Sequence, residues 1–224
     1  DTFSAFDDKM LDALDNLSSE RIDNLMLDLR YNGGGYLHIA HYLASIFAGK
    51  ENAGKLFIES RFNSNFPASR EYFLNKEEQD SMGYDFNLDS IVLLVTDFSA
   101  SASELLYIAL KPYARDIKLI GTKTYGKPVV NLSADLCDNK YFFVTVGKYF
   151  NADGEGEFYN GIDPDCYQEE DYDNIKFFGD KDDQLLSAAL EYLSSGTCNS
   201  SHSGFGITAG SNIKPKKRLK DNLN

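Results

Sequence analysis

A chain of 224 residues suits one large domain or one domain with an appendage, and its 42% hydrophobic content argues against global disorder. Its 22 basic and 35 acidic residues give a net charge of −13, which excludes a general nucleic-acid binder, since phosphate binding needs a basic surface. No apolar run approaches the roughly 18 residues that would span a bilayer. Phe6, Met10, Leu14 and Leu17 recur at helical spacing and predict an amphipathic helix over 5–17. It has no strand before it, so an N-terminal strand, like any signal peptide, is expected to lie outside this sequence. Leu25 to Leu29 is a short apolar run ending at three glycines, which predicts a buried strand, and helical spacing returns over 36–48. Strand-like runs follow at 55–60, 91–95, 117–120 and 141–147, with a helix over 103–113 between two of them and a final amphipathic helix over 182–193. Alternating strands and helices predict an α/β fold with a largely parallel sheet and right-handed βαβ crossovers.

Beyond residue 194 the composition changes. Ser194 to Ser211 is rich in Ser, Gly, Asn and Thr, and Lys214 to Lys220 holds five basic residues. Residues 1–195 are therefore expected to form the folded unit, and 196–224 a Ser/Gly-rich linker with a basic, solvated tail. Without that tail the body, residues 1–213, carries −17. Cys137, Cys166 and Cys198 match neither a zinc spacing nor CxxC. One disulfide with a thiol left over fits the count.

Chemistry is expected at the turns after buried strands. The first, Asp28-Leu29-Arg30-Tyr31-Asn32-Gly33-Gly34-Gly35, has glycines whose N–H groups could hold an anion at a helix start. Asp28 and Arg30, two apart on one strand face, read as a structural ion pair. The second, Ser99-Ala100-Ser101-Ala102-Ser103-Glu104, sets hydroxyls at a strand–turn–helix junction, as a helix cap or as a nucleophile site without the GxSxG form. The third, Gly121 to Pro128 (GTKTYGKP), nearly spells a P-loop, but Pro128 has neither the hydroxyl nor the N–H that a nucleotide–Mg²⁺ site needs. His38 and His41 read as packing or surface residues of a helix and His202 as linker. With HExxH also absent, a lysine is left as the base for a serine nucleophile.

Taken together these blocks resemble the carboxy-terminal processing, or tail-specific, serine peptidases, with the tricorn core as a relative. Asp28 to Gly35 is similar to that family's D-L-R-x-N-x-G-G block, Ser99 to Glu104 to its S-A-S-A-S-E block, and Thr124 to Lys127 to its T-[YF]-G-K block. Gly161-Ile162-Asp163-Pro164-Asp165 and Asp183-Gln184-Leu185 follow as weaker signatures, so the resemblance covers residues 6–194. It implies a crotonase/ClpP-like core, Ser101 as nucleophile and Lys127 as general base. It further implies an oxyanion hole from the N–H of Ala102 and of Gly33 or Gly34, with Ser103 and Glu104 in support. Asn131 stands where the family often has a Gln, and offers the same amide with one methylene less reach.

The resemblance implies neither cofactor nor metal, a protein or peptide substrate cleaved near an unstructured C-terminal tail, and the bacterial cell envelope, periplasmic or exported, as location. A PDZ module or other partner upstream in the full-length protein, and a homo-oligomer, are left open. A base that must shed its proton predicts activity falling as pH drops. The competing readings are a dead peptidase core used as a peptide-binding scaffold and a crotonase-like acyl-CoA enzyme, for which the acidic body offers no phosphate site. A faint EF-hand echo at Asn151, Asp153, Glu155 and Gly156 fails at Ile162, where a bidentate Glu is needed.

Overall fold

The computed structural model describes residues 5–63, 66–136 and 140–198. In chain order they form α1 (Ala5–Ser19), β1 (Asn24–Asp28), α2 (Leu37–Phe47), β2 (Leu56–Phe62), β3 (Ser69–Tyr72), α3 (Lys76–Met82) and β4 (Ser90–Val95). There follow α4 (Ala102–Leu110), β5 (Ile117–Gly121), β6 (Val129–Leu136), β7 (Lys140–Phe150), β8 (Cys166–Tyr167) and α5 (Gln184–Ser195). Every predicted helix and strand is present, with ends shifted by a few residues. The basic tail falls outside the described residues, as do Cys137 and His202.

The strands divide between two sheets. One is parallel, in the order β1-β4-β5-β8, and the other is antiparallel, in the order β3-β2-β7-β6. The expectation of a largely parallel sheet therefore holds for only one of them. The links from β2 to β3 and from β6 to β7 are too short for a crossover, so they turn the chain straight back into antiparallel pairs. Two of the strands that enter this second sheet, at 55–60 and 141–147, are apolar runs whose partners, β3 and β6, carry weak patterns of their own. Helix α3 (KEEQDSM) also escaped periodicity, because it has no apolar stripe. Its capping box marks it instead: Glu78 N–H donates to Asn75 Oδ1 at 3.0 Å and Asn75 N–H to Glu78 Oε2 at 2.7 Å.

Strand β4 explains the layering. All of Ile91 to Val95 is buried, yet alternate residues serve different cores. Ile91, Leu93 and Val95 face Leu14 of α1, Ala44 and Phe47 of α2, Leu105 of α4 and Phe57 of β2. Val92 and Leu94 face Leu185, Ala189 and Tyr192 of α5. A strand covered on both faces must be apolar throughout, which is why it reads as a continuous run. Helix α5 is fixed at both ends. Asp183 caps it by accepting from Leu186 N–H at 2.9 Å, Gly196 closes it at φ 70°, and a disulfide joins Cys198 to Cys166 of β8.

Candidate active site

The C-terminal ends of β1, β4 and β5 bring the three turns together. Ser99, 1% exposed, donates its hydroxyl to Leu29 O at 2.7 Å and accepts from Thr96 N–H at 2.9 Å, joining the serine turn to the end of β1. Asn32 O accepts from Ala100 N–H at 3.1 Å and from Ser103 Oγ at 3.0 Å. Between these fixed points Ser101 is the N-cap of α4 at φ 58°, ψ −118°. A non-glycine residue there costs about 1–2 kcal/mol, strain that marks functional turns. The small residues around it are a steric requirement. A Cβ on Gly34 (φ 91°) would stand 2.6 Å from Ala100 O, 2.7 Å from Ala102 N and 2.8 Å from Ser101 Cβ.

Glu104, 2% exposed, links the serine turn to the lysine turn. Its Oε2 accepts from Ser101 N–H at 2.8 Å and from Lys127 N–H at 2.9 Å. Its Oε1 accepts from Thr124 Oγ1 at 2.5 Å and Gly126 N–H at 2.7 Å. One carboxylate thus holds the backbones of the nucleophile and base candidates against each other. Thr124 Oγ1 also accepts from Ile162 N–H at 2.8 Å, so the Gly161–Asp165 segment buttresses the lysine turn. The near P-loop has a structural explanation. Gly121 (φ 136°) and Gly126 (φ 88°) pass so close to Val95 O and Gly161 N that a Cβ would clash, at 1.9 and 2.4 Å. Strand β6 begins directly after Gly126-Lys127-Pro128, so no helix N-terminus awaits a phosphate.

The glycine turn rests on Arg30. Its buried guanidinium pairs with Asp28 at 2.7 Å, Glu170 at 2.8 Å and Asp183 at 2.8 Å, with the Phe178 ring 5.1 Å away. Burial opposes its charge, but the bonds to Asp28 and Asp183 outweigh that and raise its pKa. The predicted Asp28–Arg30 pair is present, enlarged by two acids from the far end of the chain. Tyr31 takes φ 61° and donates its hydroxyl to Glu170; burial, then that carboxylate, push its pKa up, so the phenol stays neutral. Gly34 N–H donates to Asn32 Oδ1 at 3.0 Å, whereas among the described residues no hydrogen bond engages the N–H of Gly33 or Ala102.

Lys127 is half-buried beside this junction, and among the described residues no hydrogen bond joins its amine to Ser101 Oγ. Asn131 lies on β6, where its Oδ1 accepts from Thr145 Oγ1 at 2.8 Å. His41 Nε2 lies 2.6 Å from Tyr72 O and His38 stacks on Tyr36, so neither histidine joins the serine. Asn151 and Glu155 close a turn, Asn151 Oδ1 accepting from Asp153 and Glu155 N–H and Glu155 pairing with Lys111, and no cluster of metal-binding side chains occurs among the described residues. An apolar cavity of 220 Å³ opens beside Ala102, lined by Leu29, Tyr36, Ile39, Leu43 and Leu106. Thr96 and the Arg30–Glu170–Asp183 network carry no signal in the sequence, because their partners lie 65 to 153 residues away.

Comparison with known proteins agrees with this arrangement. The carboxy-terminal processing protease CtpA of Bacillus subtilis (strain 168) is 30% identical over 156 residues, 70% of this chain and 31% of its own length. A probable CtpA-like serine protease of Staphylococcus aureus (strain N315) is 32% identical over 157 residues, 70% of this chain and 29% of its own. This chain spans about a third of the length of these curated relatives. A putative S41 protease from Bacteroides fragilis NCTC 9343 superposes with a TM-score of 0.78 at 27% identity, over 88% of this chain and 52% of that one. Among the described residues no helix is long and apolar enough to cross a membrane. The model of peptidase family S41 matches residues 1–168, and the chain belongs to that family.

Proposed function

We propose that this chain is the catalytic core of a serine endopeptidase with a Ser101–Lys127 dyad. Neutral Lys127 accepts the Ser101 hydroxyl proton as Oγ attacks a peptide carbonyl. The developing oxyanion lies against the N–H of Ala102 and of Gly33 or Gly34, with Gly34 serving if its bond to Asn32 opens. The acyl-enzyme then forms, the amine leaves with the proton, and water hydrolyses the ester. The observation that carries this reading is the Glu104 carboxylate, which binds the backbone N–H of both Ser101 and Lys127. Asn131 is assigned to orient the lysine amine, which requires its amide to turn from Thr145, and Ser103 holds the Asn32 carbonyl.

The apolar cavity beside Ala102 fits an aliphatic side chain next to the scissile bond, in keeping with unstructured apolar C-terminal tails as substrates. The Cys166–Cys198 disulfide favours an exported, oxidising location. Ser101→Ala and Lys127→Ala are each expected to abolish hydrolysis of an unfolded, apolar-tailed protein, with circular dichroism unchanged. Ser101→Ala should also lose labelling by a serine-directed fluorophosphonate. Normal turnover by either variant would overturn the dyad. A wild-type protein that binds such tails and neither cleaves nor labels would be a scaffold.

A further inference from the structure

A shelf of aromatic rings on the glycine and serine turns has no part in that chemistry. Tyr31, Phe98 and Tyr172 are 43, 55 and 61% exposed. The Tyr31 and Phe98 rings lie 6.0 Å apart between centroids, and Tyr172 follows Glu170, the acceptor of the Tyr31 hydroxyl, by two residues. This display is built. Tyr31 keeps the left-handed φ of 61° that bulky side chains avoid, with its hydroxyl on Glu170 and its N–H on Thr96 Oγ1 at 3.4 Å. The same Thr96 oxygen accepts from Phe98 N–H at 3.4 Å, so one hydroxyl at the end of β4 presents both rings to solvent. Aromatic faces held outward against backbone strain are a feature that a ligand explains and folding does not.

Charge and position say which ligand. Asp97 adjoins Phe98 in the chain, and Glu170 accepts from the Tyr31 hydroxyl. Arg30, the cation beneath the shelf, is already paired with Asp28, Glu170 and Asp183. Residues 168–183 hold seven carboxylates against two lysines. Ring faces in such a field attract a planar, weakly hydrated cation, which a guanidinium is and a carboxylate is not. Phe98 precedes Ser101 by three residues, and Tyr31 adjoins Asn32, whose carbonyl holds Ala100 and Ser103. Three extended residues of substrate reach about 10 Å, which is the range from the scissile bond that the test below covers. Resting on the peptidase reading, we infer that Tyr31 and Phe98 form a substrate subsite for a basic side chain, arginine above lysine, a few residues from the bond that Ser101 attacks.

The test uses the full chain and an apolar-tailed peptide carrying Arg, Gln or Glu in turn at each of the four positions on either side of the cleaved bond. At one or two adjacent positions kcat/KM should favour Arg over Glu by roughly five- to twenty-fold at low salt. That ratio should fall below about two-fold in Tyr31→Asn, since Asn tolerates the left-handed backbone, combined with Phe98→Ser. It should survive in Tyr141→Ser, on the distant arm of β7. Equal rates for Arg and Glu at every position, or a preference that persists without the rings, would overturn the subsite. Fluorescence anisotropy of the same peptides on Ser101→Ala protein reads the shelf without turnover. Ring-dependent Arg preference in a wild-type protein that cleaves nothing would keep the subsite and remove the peptidase reading, while equal binding would remove the subsite.

Discussion

Ser101 holds φ 58° in a turn packed by Gly34, Ala100 and Ala102 and held by the Glu104 carboxylate, so its conformation is over-determined. Gly34 is the tightest of those neighbours. Gly34→Ala adds a Cβ 2.6 Å from Ala100 O at a backbone φ of 91° and is expected to push the glycine and serine turns apart. Hydrolysis should fall at least about 100-fold, the scale of losing one oxyanion donor, which steady-state kinetics would measure. Glu104 is the second test. Glu104→Gln keeps the shape but turns an NH₂ toward donors that all need an acceptor. It should cost about 2–4 kcal/mol of stability in urea unfolding and lower kcat more than KM. A variant with wild-type kcat would mean that this carboxylate does not set the register of the two turns. The sequence made Ser101, Lys127 and Glu104 legible because each lies in a short contiguous block. Tyr31 and Thr96 were not legible, because what they do depends on partners across the fold.

Helix α5 shows how an element is read correctly and still misses its anchor. Its apolar stripe Leu185, Ala189 and Leu193 predicted an amphipathic helix; Leu185 and Ala189 do cover Val92 and Leu94, but Tyr192 is the third buried residue and Leu193 is only partly buried beside them. The anchor is Asp116, which accepts from Tyr192 OH at 2.7 Å and Ser90 Oγ at 3.0 Å and pairs with Lys118 at 3.2 Å. Burial pushes the Asp116 carboxyl up, but the bonds from Tyr192, Lys118 and Ser90 outweigh it and hold it below the usual range. A depressed carboxyl stabilises the fold above its unfolded pKa of about 3.9 and loses that contribution as pH falls through the folded value. Asp116→Asn is therefore expected to be less stable at pH 7 by about 1–2 kcal/mol and to show a shallower loss on acidification below about pH 4. Urea unfolding of both proteins across that range would check it, and parallel curves would exclude Asp116 as the anchor.

At the scale of the whole molecule, distant parts of the chain are tied to one place. Arg30, near the start, holds Glu170 and Asp183, and Cys166 holds Cys198, so the segment after β8 is fixed at both ends. Helix α5 ends at Ser195, and Cys198, three residues further on, is covalently anchored to Cys166. A cross-link spanning 32 residues restricts the unfolded chain by about 3–4 kcal/mol on the chain-entropy model. Cys198→Ser is expected to melt roughly 5–10 °C lower, and reductant should lower the wild type toward the variant while leaving the variant where it is. An equal shift of both by reductant would rule this staple out.

The sequence by itself determined which segments become helices and buried strands, since periodicity and burial are local properties of a chain folding in water. It also determined the three chemistry-bearing turns, since glycines, serines and a lysine must be contiguous to build them. Only the tertiary structure decided that the strands split into two sheets, because pairing depends on which edges meet. It alone brought Glu104 to Lys127, Arg30 to Glu170 and Asp183, and the Tyr31 ring to Phe98. Each of these is a contact between residues far apart in the chain, and no local pattern encodes such a partner.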